Sequence, residues 1–144
     1  MDTPRADGFT LFGTDLGVCG IAWGSGGICG VQLPQGSEQA TRQRMHRRFA
    51  SAAEMVPPPE VRLAISGVVA LLQGERVDLS GIALDMTGVP PFHRQVYGLA
   101  RAIPVGSTLT YGEVAAQLGE PGAARAVGQA LGANPFAPVV PCHR

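Results

Sequence analysis

Three short apolar runs separated by glycine-rich turns open the chain, and from residue 90 onward the same chain changes to apolar residues at helical spacing. This change of pattern most constrains the fold, because brief apolar runs bounded by turn formers suit strands, whereas apolar residues every three or four positions suit helices. The runs are Phe9 to Gly13, Val18 to Gly24 and Gly27 to Leu33, and they predict a β-meander. Between the second and third, Ser25-Gly26-Gly27 offers the positive φ that a tight hairpin needs.

Ser37 then predicts a helix start, with Glu38 in the first turn and Arg42, Arg44, Arg47 and Arg48 towards the end where they complement the dipole. Pro57-Pro58-Pro59 ends what precedes it, and a second helix is expected from about Glu60 to Leu72. Val61, Ala64, Ile65, Val68, Val69 and Leu72 give it a broad apolar face, and Gln73-Gly74 stops it. Leu79 to Met86 is read as one further strand, and Thr87 to Pro91 as a linker, which divides the chain into an α/β unit over 1–87 and a helical unit over 88–144.

In the second unit Pro91 opens a helix carrying Phe92, Val96, Leu99 and Ala100, closed by Pro104-Val105-Gly106. Thr110 followed by Glu113 is a capping box for a short helix from Tyr111 to Leu118. Gly119 to Gly122 breaks it, and a helix of small residues runs from Ala123 to about Leu131. Helix, glycine-containing turn, helix is the pattern of a helix-turn-helix. The expected fold is therefore α+β, a β-meander/α unit followed by an all-α one.

The length of 144 residues and hydrophobic share of 45% suffice for a real core and exclude a disordered chain. Every basic residue apart from histidine is an arginine, and 11 of them balance 11 acids, so bulk charge does not announce a nucleic-acid partner. The distribution is uneven: residues 1–87 hold seven arginines against nine acids, and residues 88–144 four against two. Cysteines stand at 19, 29 and 142, with neither a secretory signal nor an apolar run of membrane-spanning length, so a reduced cytoplasmic chain without a membrane partner is expected. Cys19 and Cys29 read as small buried hydrophobes or as metal ligands; no CxxC or histidine pair completes a site, and the buried reading is preferred, with no metal expected. His46, among arginines, suits a solvated helix face. Without a heptad or a long apolar stripe, a monomer is expected.

The second helix of the pair, Ala123 to Ala130, carries one long cation among side chains of one carbon or none. A major-groove reader offers several polar side chains, and this helix offers Arg125 and Gln129. Small residues suit close approach to a narrow groove, with Arg125 entering the base stack, and equally suit close helix packing with Arg125 on the surface. Further on, Asn134 to Pro141 reads as an extended apolar segment leading Cys142 inward, and Cys142-His143-Arg144 sets an imidazole and a guanidinium beside a thiol. Both neighbours favour the thiolate, although an inert buried cysteine is the simpler reading of Cys142 taken alone.

The run Pro141-Cys142-His143-Arg144, preceded by Asn134-Pro135, by Ala124 to Gly128 and by Thr110 to Ala115, resembles the O6-alkylguanine-DNA alkyltransferase family over residues 89–144 without a gap. Residues 9–88 resemble its variable, ribonuclease H-like N-terminal domain only in style. The resemblance implies a DNA-repair methyltransferase that flips the damaged nucleotide through the minor groove and moves the alkyl group of O6-alkylguanine, with O4-alkylthymine as a second candidate, irreversibly onto Cys142. It also implies roles. His143 takes the thiol proton through a water, Arg125 fills the space of the flipped nucleotide, and Tyr111 pushes on a phosphate and protonates the leaving guanine. Asn134 ties the second helix to the cysteine segment, and Ala123, Ala124 and Gly128 line the DNA contact. In-line displacement at carbon needs positioning and a thiolate rather than a cofactor, and none is expected.

Family members continue past the tetrad with a glycine-rich loop and a glutamate that orients the histidine, so the chain is expected to be C-terminally truncated and its competence reduced. Gly132 stands where relatives often have a basic residue, which implies weaker DNA affinity. The alternative is a noncatalytic lesion sensor resembling the alkyltransferase-like proteins, against which Cys142 speaks. A thiol hydrolase using Cys142 and His143 would need an oxyanion hole that nothing in the sequence suggests.

Overall fold

The computed structural model describes residues 5–103 and 107–140. Strands β1 (Gly8–Thr14), β2 (Gly17–Gly24) and β3 (Gly27–Gln32) form the expected antiparallel meander. Each of its two-residue turns hands over to a glycine with positive φ, Gly17 at 125° and Gly27 at 116°, a conformation that a side chain would strain. A short β4 (Ala53–Glu54), not anticipated from the sequence, adds parallel to β1 and gives the order β3-β2-β1-β4.

Helix α1 (Glu38–Arg48) starts where Ser37 caps it, its hydroxyl accepting from Ala40 N at 3.1 Å. Thr41, fully buried, donates to Val18 O at 3.0 Å, and Met45 lies over Gly20, where a β-carbon would stand 2.7 Å from its side chain. These contacts seat α1 on one face of the sheet above Phe9, Ala22 and Cys29. The opposite face, with Ile21, Trp23, Ile28 and Val31, packs on α2 (Pro59–Leu72) through Val61, Ala64 and Val68. That core continues into α3 (Pro91–Ala102), α4 (Tyr111–Gln117) and α5 (Ala124–Gly132) through Val96, Tyr97, Val114, Val127 and Leu131. The molecule is thus α+β, with a four-stranded sheet and five helices among the described residues. No helix among them is long and apolar enough to cross a membrane. Pro104-Val105-Gly106, expected to close α3, lie outside the described residues.

Two expectations change. Leu79 to Met86 makes no strand, only a bridge from Leu84 to Ile28. The backbone is committed elsewhere: the Arg101 guanidinium donates to the carbonyls of Leu79, Ser80 and Ile82, while Asp78 and Asp85 accept from the amides of Ser80 and Thr87. The Arg101 fork draws these carbonyls towards α3 and away from the sheet edge, so that only Ala83 O and Asp85 N reach β3, at Ile28. Nor is the segment after Asn134 extended. Residues 135–139 form turns, with Phe136 O accepting from Val139 N at 2.7 Å and Val140 N at 3.2 Å. Its apolar side chains do go inward: Phe136, Val139 and Val140 are buried.

Candidate functional site

The capping box predicted at Thr110 forms in full, with Glu113 N donating to Thr110 Oγ1 at 3.0 Å and Thr110 N to Glu113 Oε1 at 2.9 Å. The donated backbone N–H and then the hydroxyl contact hold the Glu113 carboxyl below its ordinary value. This cap fixes the position of Tyr111, the first residue of α4. Tyr111 is 41% exposed. Its ring rests on α5 at Gly128, where a β-carbon would meet Tyr111 Cε2 at 3.1 Å and Cδ2 at 3.3 Å.

Helix α5 has two faces. Val127, Ala130 and Leu131 are buried against α3 and α4, and buried Tyr97 donates its hydroxyl to Ala130 O at 2.6 Å. Away from this buried side Arg125 is exposed and Gly128, three residues on, is half-buried, as are Ala124, one turn before Gly128, and Ala123 at the N-cap. Arg125 is exposed and carries no hydrogen bond or ion pair to a described residue. Gln129 and Gly132 are exposed as well. The structure thus sets the Tyr111 ring, with its hydroxyl, against Gly128, and the exposed Arg125 stands one helical turn before that glycine on the same short helix.

At the far end of α5, Asn134 closes the turn that follows. Its Nδ2 donates to Val140 O at 2.6 Å, its Oδ1 accepts from Phe136 N at 2.9 Å, and its own amide reaches Leu131 O at 3.3 Å. The sequence places Cys142 two residues beyond Val140; Cys142 and His143 lie outside the described residues. Among described residues Cys19 and Cys29 are buried free thiols. Burial, and then the charges of Asp85 and Asp7, push Cys29 up to about 11; burial likewise raises Cys19, opposed by its hydrogen bond with Thr14. Both are therefore poor nucleophiles. His46, on the exposed face of α1, sets its ring edge-on to Phe9 at 5.1 Å.

One residue not singled out for this site enters it. Arg48, in the last turn of α1, donates through Nη1 to Val31 O at 2.9 Å and Gln32 Oε1 at 3.0 Å, and through Nη2 to Pro135 O at 3.3 Å. In sequence it is one of four arginines on a helix, and no spacing distinguishes it from the solvated ones.

A helix-turn-helix unit whose second helix offers small residues and one arginine, packed on a mixed sheet, defines the class as an α+β helix-turn-helix protein. Residues 91–144 match the family model for the 6-O-methylguanine DNA methyltransferase, DNA binding domain. The methylated-DNA–protein-cysteine methyltransferase of Salmonella typhimurium is 64% identical over 58 residues, which are 40% of this chain and 34% of that protein. The protein of the same name from Methanothermobacter thermautotrophicus is 34% identical over 125 residues, 87% of this chain and 64% of the relative. The crystal structure of Mycobacterium tuberculosis OGT in complex with DNA superposes with a TM-score of 0.67 at 30% identity, covering 93% of this chain and 75% of that one. The chain belongs to the O6-methylguanine-DNA methyltransferase family; it spans about a third of the length of the Salmonella relative that it matches.

Proposed function

We propose that this protein is a DNA-repair methyltransferase that binds duplex DNA through the minor groove, flips an O6-alkylated guanine and transfers the alkyl group irreversibly to Cys142. The observation that carries the reading is the short helix on which the Tyr111 ring meets Gly128 and Arg125 stands exposed: a helix of small residues that admits close approach, with a cation long enough to enter the stack. A paired guanine cannot present its O6 carbon to a thiolate held within a protein, so the nucleotide must leave the stack at a cost of a few kcal/mol, and Arg125 replaces part of the lost stacking.

In this reading His143 takes the Cys142 proton through a water. The thiolate then attacks the alkyl carbon, the S–C bond forms as the C–O6 bond breaks, and Tyr111 returns a proton to the departing guanine. Ala123, Ala124 and Gly128 let the backbone approach the DNA, and Asn134 holds α5 to the cysteine segment. O4-alkylthymine is a second substrate to be tested. In the same reading residues 88–144 form the DNA-contacting unit and residues 1–87 the meander unit, and the protein acts as a cytoplasmic monomer.

Incubation with duplex DNA carrying a labelled O6-methylguanine tests the reading in a single turnover. Label and a mass gain of one methylene on the peptide holding Cys142 are the expected result. Tight lesion binding without any gain would instead make the protein a lesion sensor and sink the transfer reading.

A further inference from the structure

The outer edge of β3 receives the segment leading to Cys142. Val31 N donates to Pro135 O at 2.9 Å, and the same carbonyl accepts from Arg48 Nη2, so α1, the sheet edge and the turn after α5 meet at one oxygen atom. Arg48 reaches it because residue 30 is a glycine: a β-carbon there would stand 2.7 Å from Arg48 Nη2 and 2.6 Å from Phe49 Cζ. The guanidinium carbon lies 4.8 Å from the centre of the Phe49 ring. Among the described residues its hydrogen-bond partners are carbonyl oxygens and the Gln32 amide, with no carboxylate. Desolvating a cation for neutral acceptors is a costly way to gain stability, and an apolar side chain of similar size would pack at lower cost. What the arginine supplies is geometry, since its planar fork fixes several acceptors at once.

The turn of residues 135–140 is thereby clamped at both ends, by Arg48 and Val31 at Pro135 O and by Asn134 at Val140 O. We infer that Arg48, from the N-terminal half of the chain, is a positioning residue for alkyl transfer, holding the segment that delivers Cys142. The inference rests on the reading of Cys142 as the alkyl acceptor. Displacing a reacting group by about an ångström costs on the order of a hundredfold in rate without weakening binding. Arg48 also lines an open groove of about 340 Å³ beside Gly132 and Ala133, through which a small cation can reach the vacated place when the side chain is removed.

Single-turnover transfer by R48Q and R48K, corrected for folded fraction by circular dichroism, tests this. The maximal rate at saturating DNA is expected to fall about tenfold or more in R48Q and less in R48K, while half-saturation by DNA moves by less than about twofold. Millimolar methylguanidinium is expected to restore part of the rate in R48A and leave the wild type unchanged. Wild-type rates in R48Q, or a loss that neither R48K nor methylguanidinium relieves, overturn the role of Arg48 and leave alkyl transfer standing. Should the wild type itself transfer nothing, alkylation of Cys142 by iodoacetamide, followed by peptide mass, decides separately. A changed rate in R48Q supports the clamp, and an unchanged one overturns it.

Discussion

The ring of Tyr111 lies on the backbone of Gly128, close enough that a methyl group at 128 would press on Cε2 at 3.1 Å. Two demands therefore meet at one glycine: in the proposed function the outer side of α5 must let DNA close, and the same side must seat the tyrosine. Gly128→Ala separates them. Alanine favours a helix over glycine by about 1 kcal/mol, while the displaced ring opposes that gain. The net stability change is expected near zero in the wild type and positive by about 0.5–1 kcal/mol in Tyr111→Ala. In single-turnover assays G128A should slow transfer severalfold in the wild type and by a smaller but measurable factor beside Y111A, where only the DNA approach is still obstructed. Denaturation midpoints and rates for the four proteins close the cycle, and equal effects of G128A in both backgrounds would assign Gly128 to DNA approach alone.

Arg125 touches no described residue by hydrogen bond or ion pair, so Arg125→Ala should leave stability within about 0.5 kcal/mol. If it fills the stack behind a flipped base, R125A loses transfer from duplex DNA by at least about tenfold while alkyl transfer from free O6-benzylguanine, which needs no flipping, stays at the wild-type rate. Arg125→Lys keeps the charge without the planar stacking surface and should recover affinity more than rate. Equal losses on duplex and free base would contradict the stacking role.

Asn134 is the remaining clamp on the 135–140 turn. Asn134→Ala removes the donor to Val140 O and the acceptor of Phe136 N, and Val140 is fully buried, so its carbonyl cannot turn to water. Leaving such groups unmet costs about 1–3 kcal/mol each, and a loss of that order is expected in chemical denaturation. Transfer should slow with DNA affinity unchanged, the pattern expected of R48Q. Because the two residues hold opposite ends of one turn, the double variant should lose less than the product of the single losses.

The meander and the helix-turn-helix were legible because each is governed by neighbours in sequence: Gly17 and Gly27 permit their turns, Ser37 and Thr110 cap their helices. Where distant groups decide, the local pattern misleads. Leu79 to Met86 has the composition of a strand, yet Arg101, about twenty residues on, takes its carbonyls. Asn134 to Pro141 looks extended because prolines and branched residues dominate, yet Val31 and Arg48, far upstream in sequence, hold Pro135 O while the Asn134 side chain closes the turn that follows. Tyr111, Arg125 and Gly128 could be named from motifs and the structure sets the tyrosine ring against the helix that carries the other two, whereas Arg48 acts across 87 positions, beyond any spacing rule.

Cys29 offers a test through pH. Its thiol, sealed between strand and N-terminal segment and facing the charges of Asp85 and Asp7, is raised from 9.0 to about 11. Below pH 9 the thiol is protonated in both folded and unfolded chains and folding is indifferent to it. Between the two values the unfolded chain releases the proton and the folded chain keeps it, so stability falls as pH rises and levels off above the folded value. Wild-type protein should therefore lose stability between pH 9 and pH 11 more steeply than Cys29→Ala, as read from urea midpoints at several pH values. The same protonation keeps Cys29 slow towards iodoacetamide at pH 8, so a thiol that reacts quickly there must be another one. If peptide mapping found Cys29 modified as fast as Cys142 in the folded protein, its burial in this fold would be wrong.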